Sequence, residues 1–354
     1  MSHPRTLLLC AGYMALLVIA AVAADRVIAN RTIPNPGTFV PAYRSFQEFF
    51  AGEKLRQVDE VGGLPSVFIG NSRTVFGVDP LVFDRSARAG GARIASYNLA
   101  MPTVDPRFWP LFFGDYYAER APERVLYGIT ARDMDARNTS AEAYQAAFLA
   151  SPGFANRNRS GIWKQAEEVL AQMYTLRGRV EETIRFNRRD FFRLAGQRDR
   201  LRQYTLANAR GHSAFPARYT KPESLLLRER ERYAGRVDGN RLRPARDRIH
   251  ALEQLHRWVR AHGGCLTFFT LPVYYDPEPW GTEAMRRDLA RLMRRLVRAL
   301  PGTDFVDVGD RLQRSYTVKE FGDPDHLNAR GAERFSADLA NALAPTLGRG
   351  CGGP

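Results

Sequence analysis

The stretch PSVFIGNSRTVFGVDP, residues 65–80, decides how the rest of the sequence is interpreted. Its apolar run at residues 67–69 predicts a buried strand, and the Gly-Asn pair that follows predicts a turn ending at Ser72. Ligands of open α/β sheets bind at the carboxyl ends of the strands. A serine on the first such turn is therefore a candidate nucleophile, although a Gly-Asn-Ser turn is also common where no chemistry occurs.

A motif near the end of the chain supplies the partners that a nucleophilic serine needs. This motif reads FGDPDHLN, residues 321–328. A serine hydroxyl needs a neutral imidazole to accept its proton, and the imidazole needs a carboxylate to fix its tautomer. Asp323 and His326 stand three positions apart, which lets both side chains project from one loop or helical turn. We therefore predict Ser72 as nucleophile, His326 as base and Asp323 as acid. Asp325 is the less favoured acid because adjacent side chains usually point apart.

Three short motifs, GNSRTVFGVDP, SYNLAMP and GDPDHLNARGAERFS, resemble the SGNH (GDSL-type) hydrolase superfamily in their order and spacing. The similarity extends from about residue 65 to residue 343, apart from a central insertion. More narrowly, the chain resembles the membrane-anchored branch that includes DltD-like proteins and the alginate O-acetylation proteins. The resemblance implies a flavodoxin-like three-layer α/β sandwich with about five mostly parallel strands. It also implies the same roles for Ser72, His326 and Asp323.

The resemblance further implies an oxyanion hole, the set of donors that stabilises the negative oxygen of a tetrahedral intermediate. The superfamily combines the serine amide with a glycine amide from its second motif and an asparagine side chain from its third. The second motif here is YNLAMP, so Ala100 replaces the glycine, and Asn98 is a predicted oxyanion or substrate contact. The third motif falls at residues 127–133, lacks an asparagine, and offers Thr130 or Arg132 as a substitute. The loss of one oxyanion donor typically lowers the rate by about 10²–10³.

Two residues that flank the predicted triad also have predicted roles. Arg73 follows the serine and would either bind an anionic acyl donor or pair with Asp79. Asn328 precedes a stretch of helical character at residues 329–343 and is predicted to cap that helix.

The three cysteines, at positions 10, 265 and 351, form neither a disulfide framework nor a metal-ligand spacing. A bridge between Cys265 and Cys351 is kept only as an alternative. Because the predicted chemistry needs no more than a serine, a histidine and an aspartate, we expect no metal and no cofactor.

Strand and helix patterns alternate over most of the 354 residues. This alternation predicts a mostly parallel sheet, and a flavodoxin-like strand order would bring Ser72 and His326 to one edge. The core would consist of residues 64–150 and 244–345, followed by a flexible tail at residues 346–354. The predicted strands are residues 67–69, 93–98, 124–129, 265–271 and 305–308, and the predicted helices are residues 81–89, 105–121, 244–262, 282–300 and 329–343.

The amino-terminal segment, residues 1–24, predicts membrane attachment and export. Residues 6–24 are apolar and uncharged, about the length of 20 residues that a bilayer requires. Arg5 precedes them and places the amino terminus in the cytoplasm by the positive-inside rule. We favour a retained single-pass anchor in the inner membrane over a cleaved signal peptide, and both choices put the catalytic domain on the periplasmic side. Residues 25–63 would form a stalk and a covering helix.

Residues 151–243 interrupt the alternation with a helix-like insertion that contains 21 Arg and Lys against 10 Asp and Glu. Such a basic segment is either a solvated helical face or a surface for anionic lipid or an acidic glycan. Nucleic acid is not the expected partner, because the chain is predicted to be exported and contains no recognised nucleic-acid-binding module.

Together these features predict an exported, membrane-tethered acyl-transfer enzyme that moves an acyl group, expected to be acetyl, to or from an extracytoplasmic glycan. A membrane-bound O-acyltransferase is a further expected partner. The first alternative is a catalytically weak SGNH-like domain that binds glycan or scaffolds such an O-acyltransferase. The second is a basic surface protein whose motif matches are coincidental.

Overall fold

The computed structural model describes residues 12–13, 15–20, 54, 65–116, 121–138, 141, 210–213, 241–273, 282–323 and 325–351. Contacts between Cα atoms divide the chain into two units, one of Met1–Gly52 with Phe148–Ala195 and one of Glu53–Ala147 with Gly196–Pro354. The strands described below and the candidate triad all belong to the second of these units.

The second unit is built on a parallel sheet, which has five strands in the described part of the chain. These are β1 (Ser66–Gly70), β2 (Ser96–Asn98), β3 (Arg124–Gly128), β4 (Cys265–Phe269) and β5 (Thr303–Val306). Their order is β2-β1-β3-β4-β5, and every neighbouring pair is parallel. β1 and β3 are buried along their whole length, which is typical of a sheet covered on both faces. The predicted α/β class is confirmed, and the strand order is consistent with a flavodoxin-like fold.

Helices follow most of the strands, and several start at polar capping residues. Asp79 caps the helix that begins at Pro80 by accepting a hydrogen bond from the Leu81 amide at 2.9 Å, and Thr282 caps the helix that begins at Glu283 by accepting from the Met285 amide. The first helix was not predicted, because the sequence indicated a turn at Ser72. In the described part of the second unit, the α-helices are α1 (Ser72–Gly77), α2 (Pro80–Ala89), α3 (Phe108–Tyr116), α4 (Ala131–Met134), α5 (Arg246–Ala261), α6 (Glu283–Ala299), α7 (Val308–Leu312) and α8 (Ala329–Leu347).

One face of the sheet is covered by α2 and α8, which pack against each other. Phe335, Leu339 and Leu343 recur every four residues along α8, so they form one apolar stripe that is fully buried. From β1, the Phe68 ring meets the Phe83 ring of α2 edge to face, with centroids 4.8 Å apart. This helical layer covers one face of the sheet. Its helix α8 begins at Ala329, directly after the motif that contains His326.

The opposite face of the sheet is covered by α3 and α5. The Tyr127 ring of β3 lies 6.3 Å from the Trp109 ring of α3 and 5.7 Å from the Phe268 ring of β4. Phe113 of α3 in turn contacts Trp258 of α5, with centroids 4.9 Å apart. With both faces covered, the edge formed by the carboxyl ends of the strands remains for a ligand site.

The carboxyl-terminal residues are held against the start of the sheet. Cys265, the first residue of β4, forms a disulfide with Cys351, so the bridge that the sequence offered only as an alternative is formed. The Arg124 guanidinium donates hydrogen bonds to the carbonyl oxygens of Thr346 at 3.2 Å and Arg349 at 2.9 Å. The prediction of a flexible tail is therefore wrong for the residues described up to Cys351.

Three predicted regions lie mainly outside the described residues. These are the anchor (residues 1–24), the stalk with its covering helix (25–63) and the basic insertion (151–243). Residues 12–13 and 15–20 are helical. A search of the described residues finds no helix with both the length and the apolar character needed to span a membrane.

Candidate active site

The candidate site lies where the carboxyl ends of β1 and β3 meet. The last residues of these strands, Gly70 and Gly128, are register partners in the sheet. The strand order reverses between β1 and β3, which makes this point the crevice where flavodoxin-like sheets bind ligands. Ser72 follows β1 by two residues and therefore lies at this crevice.

The backbone around the serine is set by Asn71, which caps α1. Its side-chain oxygen accepts a hydrogen bond from the Arg73 amide at 2.9 Å, and its carbonyl oxygen accepts from the Thr74 amide at 3.0 Å. Ser72 is thus the first residue of the helix. Within the described part of the chain, the Ser72 amide donates no hydrogen bond, so it can serve a ligand.

Two glycines allow the serine turn to pack closely on the neighbouring strand. Gly70 has φ +143°, and a Cβ there would lie 2.6 Å from the Gly128 carbonyl oxygen and would clash with Thr74. A Cβ on Gly128 would also clash with the Thr74 hydroxyl. The turn before Ser72 therefore requires glycine both for its backbone conformation and for space.

Ser72, His326 and Asp323 form a hydrogen-bonded chain. The Ser72 Oγ lies 2.8 Å from Nε2 of His326, and Nδ1 of that ring lies 2.9 Å from both carboxylate oxygens of Asp323. Asp323 Oδ1 also accepts the backbone amides of Asp325 and His326, both at 2.8 Å. The Phe76 ring packs edge-on against the imidazole, with centroids 5.2 Å apart. The three residues predicted to meet are therefore brought together, in the order hydroxyl, imidazole, carboxylate.

The loop that carries the imidazole closes on itself before α8 begins. Phe321 and Leu327 form an antiparallel bridge, and the Gly322 amide donates to the His326 carbonyl oxygen at 2.9 Å. Asn328 caps α8, as predicted, and its side-chain amide donates to the Phe321 carbonyl oxygen at 3.1 Å. These bonds define the loop conformation that directs Asp323 and His326 to the same side.

Asp325 pairs with two arginines rather than with the imidazole. Its Oδ1 lies 3.0 Å from Nη2 of Arg73, and its Oδ2 lies 3.5 Å from Nη1 of Arg132. Burial opposes ionisation of Asp325, but the charges of Arg73, His326 and Arg132 outweigh it and lower the pKa of this carboxyl. The predicted pairing of Arg73 with Asp79 is wrong, because the turn into α1 directs the guanidinium to the histidine loop.

A buried carboxyl, Asp133, links the serine turn to the end of β3. It accepts hydrogen bonds from the Asn71 side-chain amide at 2.6 Å and from the Thr130 hydroxyl at 2.9 Å. Burial raises the pKa of Asp133 even though these hydrogen bonds and Arg73 favour its charged form. Because the Thr130 hydroxyl is engaged by Asp133, Thr130 does not provide the substitute oxyanion donor that the sequence offered.

Asn98, a predicted oxyanion or substrate contact, is instead a buried structural residue. Its side-chain amide donates to the carbonyl oxygens of Thr74 and Val78, each at 2.8 Å. The side chain is completely buried, and its amide is used to hold the carboxyl end of α1. The prediction for Asn98 is therefore wrong, because strand β2 lies beside β1 and directs this side chain under the helix.

The Ala100 amide, the second predicted oxyanion donor, donates to the Asn98 side-chain oxygen at 3.2 Å. The Ala100 carbonyl oxygen and the Asn98 carbonyl oxygen accept from Lys54 Nζ at 2.6 and 2.8 Å. Burial holds the pKa of the Lys54 amine well below its usual value. Ala100 therefore belongs to a buried network, and its predicted role at the oxyanion is not supported by its contacts.

An open cleft of about 410 Å³ lies beside the serine. The two predicted arginines, Arg73 and Arg132, line this cleft with Ser72, whereas Asn98 and Ala100 do not. Thr103 also lines it and has φ +61°, a left-handed conformation that is unusual for a β-branched residue. Strained residues of this kind are concentrated at ligand sites.

Sequence reasoning missed the roles of Asn71, Asp325 and Thr103. The Asn71 cap has a sequence signal, an asparagine before a helix, but the helix itself was not predicted. Asp325 lies 252 residues from its partner Arg73, so no local pattern could reveal the pair. The backbone conformation of Thr103 has no sequence signal.

No known protein-family model matches the sequence, and a search of curated proteins finds no significant match. The three short motifs alone therefore carry the family resemblance.

Proposed function

We propose that this protein is an exported, membrane-tethered serine acyl-transfer enzyme of SGNH type, an O-acetyltransferase or acetylesterase that acts on an extracytoplasmic glycan. The observation that carries the proposal is the hydrogen-bonded chain from Ser72 to His326 (2.8 Å) and from His326 to Asp323 (2.9 Å). The motifs that predicted these residues contain no information about distance. The geometry is therefore independent support for a serine nucleophile with a histidine base.

The sheet supports the finer assignment to an SGNH three-layer sandwich. Helices cover both faces, the strand order is β2-β1-β3-β4-β5, and Ser72 follows the first strand. His326 precedes the last helix, which packs beside α1. This placement agrees with the first and last motifs that the resemblance identifies.

In the proposed reaction, Ser72 Oγ attacks the carbonyl carbon of an ester while His326 Nε2 accepts the hydroxyl proton. Asp323 accepts the Nδ1–H bond and so keeps Nε2 available as the base. As the tetrahedral intermediate collapses, His326 returns the proton to the departing alkoxide and the acyl group remains on Ser72. The imidazole then deprotonates water or a glycan hydroxyl, which attacks the acyl carbon. The bond from that carbon to Ser72 Oγ breaks, and His326 returns the proton to Ser72 Oγ.

The developing negative oxygen needs hydrogen-bond donors. The Ser72 amide is the donor that we assign, because it makes no other hydrogen bond within the described residues. Arg132 lines the same cleft with its guanidinium partly exposed, and we assign it to contact the substrate. Esterase and transferase chemistry share these residues and differ only in whether water or a sugar hydroxyl attacks the acyl-enzyme.

The proposed location is supported by two features. Disulfides persist in oxidising compartments, so the Cys265–Cys351 bridge favours an extracytoplasmic domain. The uncharged apolar residues 6–24 after Arg5 favour attachment to the inner membrane. The expected partners are that membrane, a glycan and a membrane-bound O-acyltransferase.

A second candidate function, a catalytically weak domain that binds glycan or scaffolds an O-acyltransferase, is favoured by one observation. The two further oxyanion donors of the superfamily are not reproduced, because the Ala100 amide is bonded to Asn98 and the third motif lacks an asparagine. Each missing donor would lower the rate by roughly 10²–10³.

Hydrolysis of p-nitrophenyl acetate by the full-length protein separates these functions. We expect a rate that falls to the uncatalysed level in Ser72→Ala and is unchanged in Ser315→Ala, a matched substitution at an exposed serine. Mass spectrometry should detect an acetyl group on Ser72 after a short reaction. Equal rates for wild type and Ser72→Ala would reject the enzyme and favour the binding domain. Acetylated product on an added oligosaccharide would identify a transferase.

A further inference from the structure

Two contacts join the same two segments of the chain side by side. The first is the hydrogen bond between Ser72 and His326, which are 254 residues apart. The second is the ion pair between Arg73 and Asp325, which are 252 residues apart and 3.0 Å from each other. Arg73 directly follows the serine, and Asp325 directly precedes the histidine. The ion pair therefore joins the immediate neighbours of the two residues that must meet.

The ion pair between Arg73 and Asp325 is largely shielded from solvent. The side chains of Arg73 and Asp325 are only 5% and 16% exposed. Salt and water screen such a pair much less than a surface pair. The planar guanidinium also fixes the direction of the bond.

Asp325 reaches a third element through its other oxygen. Oδ2 lies 3.5 Å from Nη1 of Arg132, which belongs to α4 after strand β3. One carboxylate thus connects α1, α4 and the histidine loop at residues 321–328. All three elements contribute residues that line the cleft beside Ser72.

The contacts of Asp325 distinguish it from the acid of the triad. Nδ1 of His326 is bonded to Asp323, whereas the oxygens of Asp325 face guanidinium groups. The lowered pKa of Asp325 keeps it charged near neutral pH, so both arginine contacts persist there.

We propose that Asp325 is a positioning residue, which holds Ser72 against His326 through its ion pairs with Arg73 and Arg132. The kinetic consequence rests on the proposed function, because it assumes that Ser72 is the nucleophile. A displacement of about 1 Å between reacting groups can lower a rate about 10²-fold. Loss of the carboxylate is therefore expected to lower kcat by about that factor and to change KM by less than about threefold.

The test uses a probe that reacts with Ser72 whatever the natural substrate is. Phenylmethanesulfonyl fluoride forms a sulfonyl ester with an activated serine, with loss of fluoride and transfer of the hydroxyl proton to the base. Its reaction with the full-length protein is followed by mass spectrometry, with Ser72→Ala to establish the site of labelling. The variants are Asp325→Asn, Asp325→Glu, Arg73→Gln and the double variant Arg73→Gln with Asp325→Asn. Asp304→Asn, which removes an exposed ion pair with Arg349, is the matched control.

We expect labelling to slow by about 10²-fold in Asp325→Asn, to recover to within about tenfold of wild type in Asp325→Glu, and to stay unchanged in Asp304→Asn. The double variant should be no slower than the slower single variant, because Asp325→Asn already removes the ion pair that Arg73→Gln removes. If Asp325→Asn does not fold, as judged by circular dichroism, the labelling rates of Arg73→Gln and Asp325→Glu are compared with wild type instead.

The proposal is overturned if the Asp325 variants label within about threefold of wild type, or if the effects of the two single variants multiply in the double variant. It is also overturned if wild-type Ser72 is not labelled. If wild type is labelled in the expected pattern but hydrolyses and transfers no ester, the proposed function fails while the positioning role stands.

Discussion

Replacement of Asn98 by alanine distinguishes a structural role for this residue from the oxyanion role that its motif predicts. The side-chain amide of Asn98 donates to the carbonyl oxygens of Thr74 and Val78, and its oxygen accepts the Ala100 amide. The Thr74 carbonyl also accepts the Val78 amide at 3.2 Å, so it keeps a partner in the variant. The carbonyl oxygens of Val75 and Val78 and the Ala100 amide would then lose the partner that Asn98 provides.

Each buried polar group that loses its partner costs about 1–3 kcal/mol. With three such groups, Asn98→Ala is expected to lower the free energy of unfolding by about 6 kcal/mol. Because the Ser72–His326 contact does not involve Asn98, the fraction that remains folded should retain ester hydrolysis to within about tenfold. An oxyanion role would instead lower the rate by about 10²–10³ with little change in stability.

Urea unfolding followed by circular dichroism measures the first quantity, and p-nitrophenyl acetate hydrolysis at low temperature measures the second. Asn341→Ala, at an exposed position on α8, is the matched control and should change stability by less than about 0.5 kcal/mol. An Asn98→Ala protein with wild-type stability and a rate reduced by 10² or more would refute the structural role.

Three further outcomes are expected. Asp323→Asn should lower kcat for p-nitrophenyl acetate by about 10⁴, because the amide no longer stabilises the tautomer in which Nδ1 of His326 carries the proton and Nε2 is the base. A rate near wild type would exclude Asp323 as the acid. At Asp288, burial opposes ionisation, but hydrogen bonds from Arg241, Arg291 and the Leu242 amide lower the pKa from 3.8 to about 2. The resulting stability is present above pH 3.8 and is lost as the pH falls towards 2. In Asp288→Asn the urea midpoint should therefore fall less steeply with decreasing pH over this range than in wild type. An equally steep fall in both proteins would contradict the lowered pKa. Reduction of the Cys265–Cys351 disulfide, which closes a separation of 86 residues, should lower the free energy of unfolding by about 4–5 kcal/mol, and an unchanged thermal midpoint would show that the bridge does not stabilise the fold.

Local pattern predicted most of the elements of the fold. The periodic apolar positions of α6 predicted a helix at residues 282–300, and the structure has Glu283–Ala299 with Thr282 as its cap. Helix α1 was missed because Thr74, Val75 and Phe76 have weak helix propensity. Its stability depends on the Asn98 side chain, which comes from a neighbouring strand and has no signal in the local sequence.

The triad was predictable because its residue types and the spacing of Asp323 and His326 follow from the chemistry. The contacts of Ala100 and Asn98 were not predictable from their motif. Both depend on the pairing of β2 beside β1 and on Lys54, a buried residue of the predicted stalk. A motif aligns residue types, whereas the direction of a side chain depends on which strands are neighbours.

The hydrogen bond between Ser72 and His326 cannot by itself hold together two segments that are 254 residues apart, since one such bond contributes only about 0.5–1.5 kcal/mol net. Arg73 provides an additional link between these two segments through Asp325, and Asn71 fixes the serine turn against the end of β3 through the buried Asp133. In the segment Asn71-Ser72-Arg73, therefore, the two outer residues fix the position of the Ser72 hydroxyl. Substitutions at the outer positions should reduce the reactivity of Ser72 even though neither residue is needed for bond making, because the two partners of the reaction would no longer be held at hydrogen-bonding distance.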